Sequence, residues 1–301
     1  MTREDIAFKG EGGVTLRGWF YVAHNTSAPA PAIVMAHGLS CVKEMHLDDY
    51  AEFFSTAGFH VLAYDHQNFG ASDGLPRQEV DPVLQYRDFR NAITYAQTRP
   101  EVDPARIGIW GSSFSGGHTM TVAAIDRRVK AVVSQVPFAS GPRTLDRAVR
   151  PDFVPHVRAA FDGDRHHRFN GGEPTMVPVV TPDPMAQAVM PSTEAYEWFS
   201  KTSSERAPHW RNELTARSME LISEYNPLSY VELIAPTPLL MIVAADDVVA
   251  PYSLALDAYE RAREPKQLIV TTGGHFALYS GPGFDESAAA ARDHFSKHLG
   301  V

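Results

Sequence analysis

The chain has 301 residues, 44% of them hydrophobic, and a formal net charge of −9. That length suits one large α/β domain with room for an inserted subdomain, and with no dense Lys/Arg patch nucleic acid is not expected as a partner. The single cysteine, Cys41, cannot form an intramolecular disulfide, which fits a reducing cytoplasm. Met1-Thr2-Arg3-Glu4-Asp5 carries charges of both signs with no apolar run behind it and does not read as a signal peptide. No stretch approaches the ~20 apolar residues that span a bilayer, so a soluble cytoplasmic protein with no membrane partner is expected.

In chain order, Asp5 to Lys9 and Val14 to Val22 read as a hairpin joined by Gly10-Glu11-Gly12-Gly13, glycine supplying positive φ at little steric cost. An alternation then begins. Apolar runs at Ala32–Ala36, Phe59–Tyr64, Arg106–Trp110, Ala131–Ser134, Leu239–Val243 and Gln267–Val270 read as strands buried on both faces. Between and after them, His46–Thr56, Pro82–Gln97, Phe114–Ile125, Ser253–Arg263 and Glu286–His298 read as helices. Strand–helix alternation predicts a doubly wound, mostly parallel sheet. It breaks between about Phe138 and Asn226, where Pro, Gly, His and Arg cluster and helical patterns show near Ala195–Trp210 and Arg211–Glu224. That is too long for a plain loop. We read residues 138–226 as a largely helical cap inserted into a core of 1–137 and 227–301 and covering the carboxyl ends of the strands, where such sheets bind ligands.

The strongest chemical signal is Gly111-Ser112-Ser113-Phe114-Ser115-Gly116-Gly117, between a strand and a helix. A strand–tight turn–helix element lifts the serine at its apex out of the sheet on a strained backbone that needs small neighbours. Gly111 and Ser115 are those neighbours, Ser115 standing where the motif ordinarily has glycine. Serine needs a base to take its proton. His275, in Gly273-Gly274-His275-Phe276 after the last strand, is the candidate, and the acid that would orient it follows Leu239–Val243 at Asp246 or Asp247. His37-Gly38-Leu39 follows the strand Ala32–Ala36. The backbone N–H groups of Leu39 and Phe114 are the expected oxyanion donors, with His37 bracing the loop. Cys41 near that loop is a rival nucleophile or a packed, substrate-lining residue. Asp162, Asp164, His166 and His167 could be a metal cluster, but their spacing lacks a recognised ligand pattern, and a solvated loop is expected. Tyr196, Trp198, Phe199 and Trp210 are expected to pack the cap helices and in part to line an acyl pocket.

These features together resemble the α/β-hydrolase superfamily over nearly the whole chain. The resemblance selects Asp247, four residues before Pro251, over Asp246, since the order Ser, Asp, His is the one that fold uses. It also makes Asp65-His66-Gln67-Asn68-Phe69-Gly70-Ala71-Ser72-Asp73-Gly74 a rigid structural turn. The elbow, Gly274-His275-Phe276-Ala277-Leu278-Tyr279, the cap segment and Gly281-Pro282-Gly283-Phe284 are similar to a narrower group of dienelactone-hydrolase-like and peptidase S15-like hydrolases, which includes polyketide transferases and thiohydrolases. The resemblance implies a serine hydrolase acting on the ester or thioester of a small-molecule acyl substrate with Ser113, His275 and Asp247, and with no metal or organic cofactor. Acyl transfer to an alcohol, C–C bond hydrolysis and a non-catalytic receptor on the same scaffold are the alternatives. An apolar cap surface could support a homodimer.

Overall fold

The computed structural model describes residues 3–24, 29–183 and 185–301. Met1 and Thr2, part of the N-terminus read above, and residue 184 of the cap segment lie outside the described residues. The first strands, β1 (Arg3–Lys9) and β2 (Thr15–Tyr21), form the expected hairpin around a short turn in which the Gly10 N–H donates to the Val14 carbonyl at 2.9 Å. There follow β3 (Ala30–Ala36), α1 (Leu47–Thr56), β4 (His60–Tyr64), α2 (Pro82–Thr98), β5 (Val102–Ser112), α3 (Phe114–Ile125) and β6 (Val129–Gln135). The segment after β6 carries α4 (Gly141–Ala148), α5 (Val154–Phe169), β7 (Met176–Val177), α6 (Thr193–Arg206), β8 (Leu214–Thr215) and α7 (Ala216–Glu224). The chain then completes the sheet with β9 (Leu239–Ala244), α8 (Tyr252–Arg261), β10 (Lys266–Thr271) and α9 (Gly281–Leu299).

The eight-stranded sheet has the order β1-β2-β4-β3-β5-β6-β9-β10. Only β2 pairs antiparallel with its neighbours; every pairing from β4 to β10 is parallel. All seven residues of β3 and all six of β9 are buried, because helices cover both faces. Alternate residues serve the two layers. Ala32, Val34 and Ala36 of β3 face α2, α3 and α8, while Ile33 and Met35 face α1 and α9. Helix starts follow local chemistry. Asp81 caps α2 by accepting from Val83 N at 2.9 Å and Leu84 N at 3.2 Å, with Pro82 in the first turn, where the missing N–H costs nothing.

The segment 138–226 departs from the sequence reading. Two helices, α4 and α5, occupy what looked irregular. Pro142 and Pro155 stand in their first turns, so proline initiates here where it suggested breaks. Eleven of the sixteen residues of α5 are exposed, and the face that is not runs from Val154, Val157 and Phe161 into Asp164 and Arg168, so its apolar stripe is too short to be recognised. Asp162, Asp164, His166 and His167 therefore lie on a helix, not in a solvated loop. Asp162 pairs with Arg165 at 3.0 Å and Asp164 with Arg168 at 2.7 Å. Among the described residues no group of three His, Cys, Asp or Glu side chains could hold a metal ion. The second cap pattern is shorter than read. Leu214 and Thr215 pair with β7, and Thr215 then caps α7 by accepting from Ser218 N. At the other end of the chain, α9 begins at Gly281-Pro282 rather than at Glu286. No helix of the described residues is long and apolar enough to cross a membrane.

The turn 65–74 is held by one carboxylate. Asp65 is fully buried. It accepts from Lys43 N and Nζ, each at 2.8 Å, and from Ala71 N at 2.9 Å. Burial opposes the charge on Lys43, yet the Asp65 and Glu44 carboxylates hold its pKa above the ordinary lysine value. Breaking a buried pair by removing one partner leaves an uncompensated charge. Asp65→Ala is therefore expected to lose about 3–5 kcal/mol of stability in urea unfolding. A loss under about 1 kcal/mol would show that the turn does not depend on this group.

Candidate active site

The site is built on the sharp turn between β5 and α3. Ser113 stands at its apex with φ +58° and ψ −119°, a region costly for any residue with a Cβ. The surroundings enforce it. Ser113 N donates to the Gln135 carbonyl at 2.9 Å, and its own carbonyl accepts from Phe138 N at 2.9 Å and Gly117 N at 3.2 Å. A Cβ on Gly111 would come within 2.3 Å of the Ser115 carbonyl oxygen, so the turn closes only over glycine at that position.

The loops after β9 and β10 deliver the other two candidates. His275 is 1% exposed and Asp247 6% exposed. His275 Nδ1 donates to Asp247 Oδ2 at 2.7 Å, which leaves Nε2 to accept from the Ser113 hydroxyl at 3.0 Å. The other carboxylate oxygen of Asp247 accepts from Val249 N at 2.9 Å and Ala250 N at 2.8 Å. Both oxygens are thus fixed, and the imidazole with them. Asp246, the rival acid, is exposed and only its backbone joins the site, donating to the Gly273 carbonyl at 3.0 Å. Such an arrangement can carry the proton of a serine hydroxyl as the oxygen attacks a carbonyl.

The loop after β3 closes the third side. A Cβ on Gly38 would lie 3.1 Å from Ser113 Cβ and 3.6 Å from its Oγ, so this backbone abuts the hydroxyl. Leu39 N and Phe114 N, the expected oxyanion donors, have no acceptor among the described residues, and Phe114 opens α3, where first-turn N–H groups lack helical partners. His37 accepts from His66 N at 3.2 Å through Nε2 and donates to the Gly38 carbonyl at 2.9 Å through Nδ1; it braces the loop as expected. Cys41 is buried beside it in a small cavity with Met45, Trp110 and Tyr279. Burial pushes its thiol pKa up, which keeps it protonated and a poor nucleophile.

Several contacts of the site could not be read from spacing. Ser115 Oγ donates to the His37 carbonyl at 2.5 Å and meets His66 Nε2 at 3.0 Å, and the serine in place of the usual glycine was its signal. Ser112 Oγ bonds the Tyr279 hydroxyl at 2.7 Å, tying the elbow to the His275 turn. Trp210 Nε1 donates to the Ser40 carbonyl at 2.8 Å. Trp198 stacks on Phe276 at 4.7 Å and Phe199 on Trp210 at 5.1 Å, so these cap aromatics pack against the His275 turn as well as each other. Behind the elbow runs a row of buried rings, with His37 and His66 centroids 4.7 Å apart and His66 and His118 5.5 Å apart. Burial lowers the pKa of all three, that of His118 to about 3.

Residues 31–282 match the family model described as alpha/beta hydrolase fold. A thiohydrolase, aneE of Aspergillus aculeatus, is 32% identical over 298 residues, covering 94% of this chain and 90% of its own. Polyketide transferase grgF of a Penicillium species is 30% identical over 283 residues, covering 91% of this chain and 90% of its own. The crystal structure of α/β hydrolase GrgF from Penicillium sp. sh18 superposes with a TM-score of 0.87 at 28% identity over 100% of both chains.

The depressed pKa of His118 makes the site's back wall sensitive to acid. The unfolded chain takes up a proton near the ordinary value of 6.5, the folded chain only near 3. The contribution of neutral His118 is therefore complete above about pH 6.5 and is lost as pH falls toward 3. Urea unfolding between pH 7.5 and 4.5 should show wild type losing up to about 1.4 kcal/mol more per pH unit than His118→Gln below about pH 6. Parallel curves for the two proteins would contradict this.

Proposed function

The chain belongs to the α/β-hydrolase-fold family, and on that footing we propose that it is a serine hydrolase which cleaves an ester or thioester through an acyl-enzyme. The observation that carries this reading is the hydrogen-bonded run from Ser113 Oγ through His275 to Asp247, at 3.0 and 2.7 Å. Ser113 Oγ attacks the acyl carbonyl carbon while its proton passes to His275 Nε2. Asp247 stabilises the imidazolium without taking the proton itself. Leu39 N–H and Phe114 N–H donate to the oxyanion, each such donor being worth about 3 kcal/mol of barrier. His275 then protonates the leaving alcohol or thiol, and water, activated by the same histidine, releases the acid.

The relatives named thiohydrolase and polyketide transferase favour a thioester of an apolar acyl chain. The second name supports a further reading, in which an acceptor alcohol takes the place of water at the acyl-enzyme. Phe114, next to Ser113, and Phe276, next to His275, belong to one buried apolar cluster with Phe199, Val179, Val180 and Tyr279, which favours an apolar acyl group. In this reading residues 138–226 are the cap and 1–137 with 227–301 the core. The protein works in the cytoplasm, and the exposed Phe153 and Phe169 of the cap are part of what a homodimer would bury.

The test is turnover of a p-nitrophenyl ester series and of N-acetylcysteamine thioesters. Ser113→Ala is expected to abolish turnover and Asp247→Asn to lower kcat about 10⁴-fold. Retained activity in Ser113→Ala sinks the proposal. Labelling of Ser113 by a fluorophosphonate with no turnover of any ester or thioester would favour acyl transfer to an acceptor; neither labelling nor turnover would favour the receptor instead.

A further inference from the structure

One cap side chain reaches the loop that carries His275. Glu194 is half-buried in the first turn of α6, just after Ser192, whose Oγ caps that helix by accepting from Ala195 N at 3.1 Å. Glu194 Oε1 accepts from Phe276 N at 3.0 Å, the backbone N–H next along from His275. That N–H opens a short 3-10 turn over His275–Tyr279 and so has no partner within the turn.

The carboxylate also lies flat against Gly274. A Cβ there would come within 2.4 Å of Oε1 and 2.7 Å of both Cδ and Oε2. Gly274 itself has φ −87° and ψ −171°, extended backbone that any residue can adopt. A methyl at 274 would have to displace the Glu194 carboxylate, while the chain's own path does not ask for glycine there. The rest of α6 repeats the attachment. Trp198, one turn on, stacks on Phe276 at 4.7 Å and meets Tyr279 at 5.1 Å. At the far end Arg206 donates to the Glu44 carbonyl and to Asp48 and Asp49, and Trp210 just beyond holds the Ser40 carbonyl. One helix of 14 residues thus has its two ends on the two loops that flank Ser113.

We propose that Glu194 is a positioning residue for the base: docking of α6 is passed to His275 through the Glu194–Phe276 hydrogen bond, so that the imidazole is aligned on Ser113 while the cap helix is seated. This rests on the serine-hydrolase reading above. Glu194 touches no reacting atom, so its loss should act on turnover more than on substrate binding.

The experiment is a mutant cycle on the p-nitrophenyl ester that wild type turns over fastest, with folding of each variant followed by urea unfolding. Glu194→Ala is expected to lower kcat about tenfold with KM within about threefold, since small misplacement of a base costs rate at that scale. Glu194→Gln, which keeps an acceptor oxygen, should stay within about threefold of wild type in kcat. Gly274→Ala should cost about tenfold alone, because its methyl must displace the carboxylate, and close to nothing when added to Glu194→Ala. Wild-type kcat in Glu194→Ala, equal impairment of the Gln and Ala variants, or additive effects of the two substitutions would each overturn the inference. Should Glu194→Ala fail to fold, Glu194→Gln and Gly274→Ala alone still decide it: the first near wild type and the second about tenfold down supports it, and any other pair of values overturns it. Ser113→Ala is assayed alongside. If it is dead while Glu194→Ala is unimpaired, only this inference falls; if it is active, the reading beneath it falls.

Discussion

Ser113 holds a backbone conformation, φ +58° with ψ −119°, that an L-residue enters only under constraint, at a cost of order 1–3 kcal/mol. The site's geometry follows from how that constraint is met. The Ser113 N–H is tied to the end of β6 at Gln135, and its carbonyl to Gly117 in α3 and to Phe138 at the start of the segment that leaves the sheet. A single residue thereby fixes a strand end, a helix start and the root of the cap relative to one another. Relaxing Ser113 to ordinary φ would break these bonds together, which is why the strained form persists. The same conformation brings the hydroxyl up against Gly38 and within reach of His275.

The surroundings are arranged so that Asp247 is the charge that acts on His275. The back wall is polar but neutral. His66 and His118 are buried, with pKa values pushed down by desolvation. His118 makes its bonds as a neutral ring, at 3.0 Å to Gln85 and 2.9 Å to Tyr225. Ser112, Gln135, Tyr50 and Tyr279 add a second neutral chain of hydroxyl and amide groups. The buried ion pair of Lys43 with Asp65 is spent on the turn after β4. Interactions among charges strengthen in such low-dielectric surroundings, which favours the Asp247–His275 hydrogen bond.

The strands were legible because a sheet covered on both faces demands continuous apolar runs, and those runs survive in the sequence. Ser113, His275 and Asp247 were legible because chemistry restricts the residue types and the fold restricts their order along the chain. Two kinds of feature were not legible. Helix α4 is only eight residues long, the inward face of α5 turns charged at Asp164 and Arg168, and both begin with proline, so periodicity misses them. Ser115, Tyr279, Trp210 and Glu194 act through contacts between segments far apart in the chain, which spacing cannot reveal. Gly274 belongs with them: that its backbone does not itself need glycine, and that a carboxylate lies against it, appear only in the structure.

That glycine shows where the fold leaves its chemistry open. Core elements alone bring Ser113, His275 and Asp247 together, and many hydrolases share them. What differs between hydrolysis and transfer is which hydroxyl reaches the acyl-enzyme, and that is decided over the carboxyl ends of the strands, where the segment 138–226 lies. That segment is tied to the loops beside Ser113 by specific contacts. Glu194 and Trp198 hold the His275 turn, and Trp210 holds the loop after β3. On the reading proposed above, a change in this segment that admits a different acceptor would also move the groups that flank Ser113, so acceptor choice and turnover would be coupled through one helix.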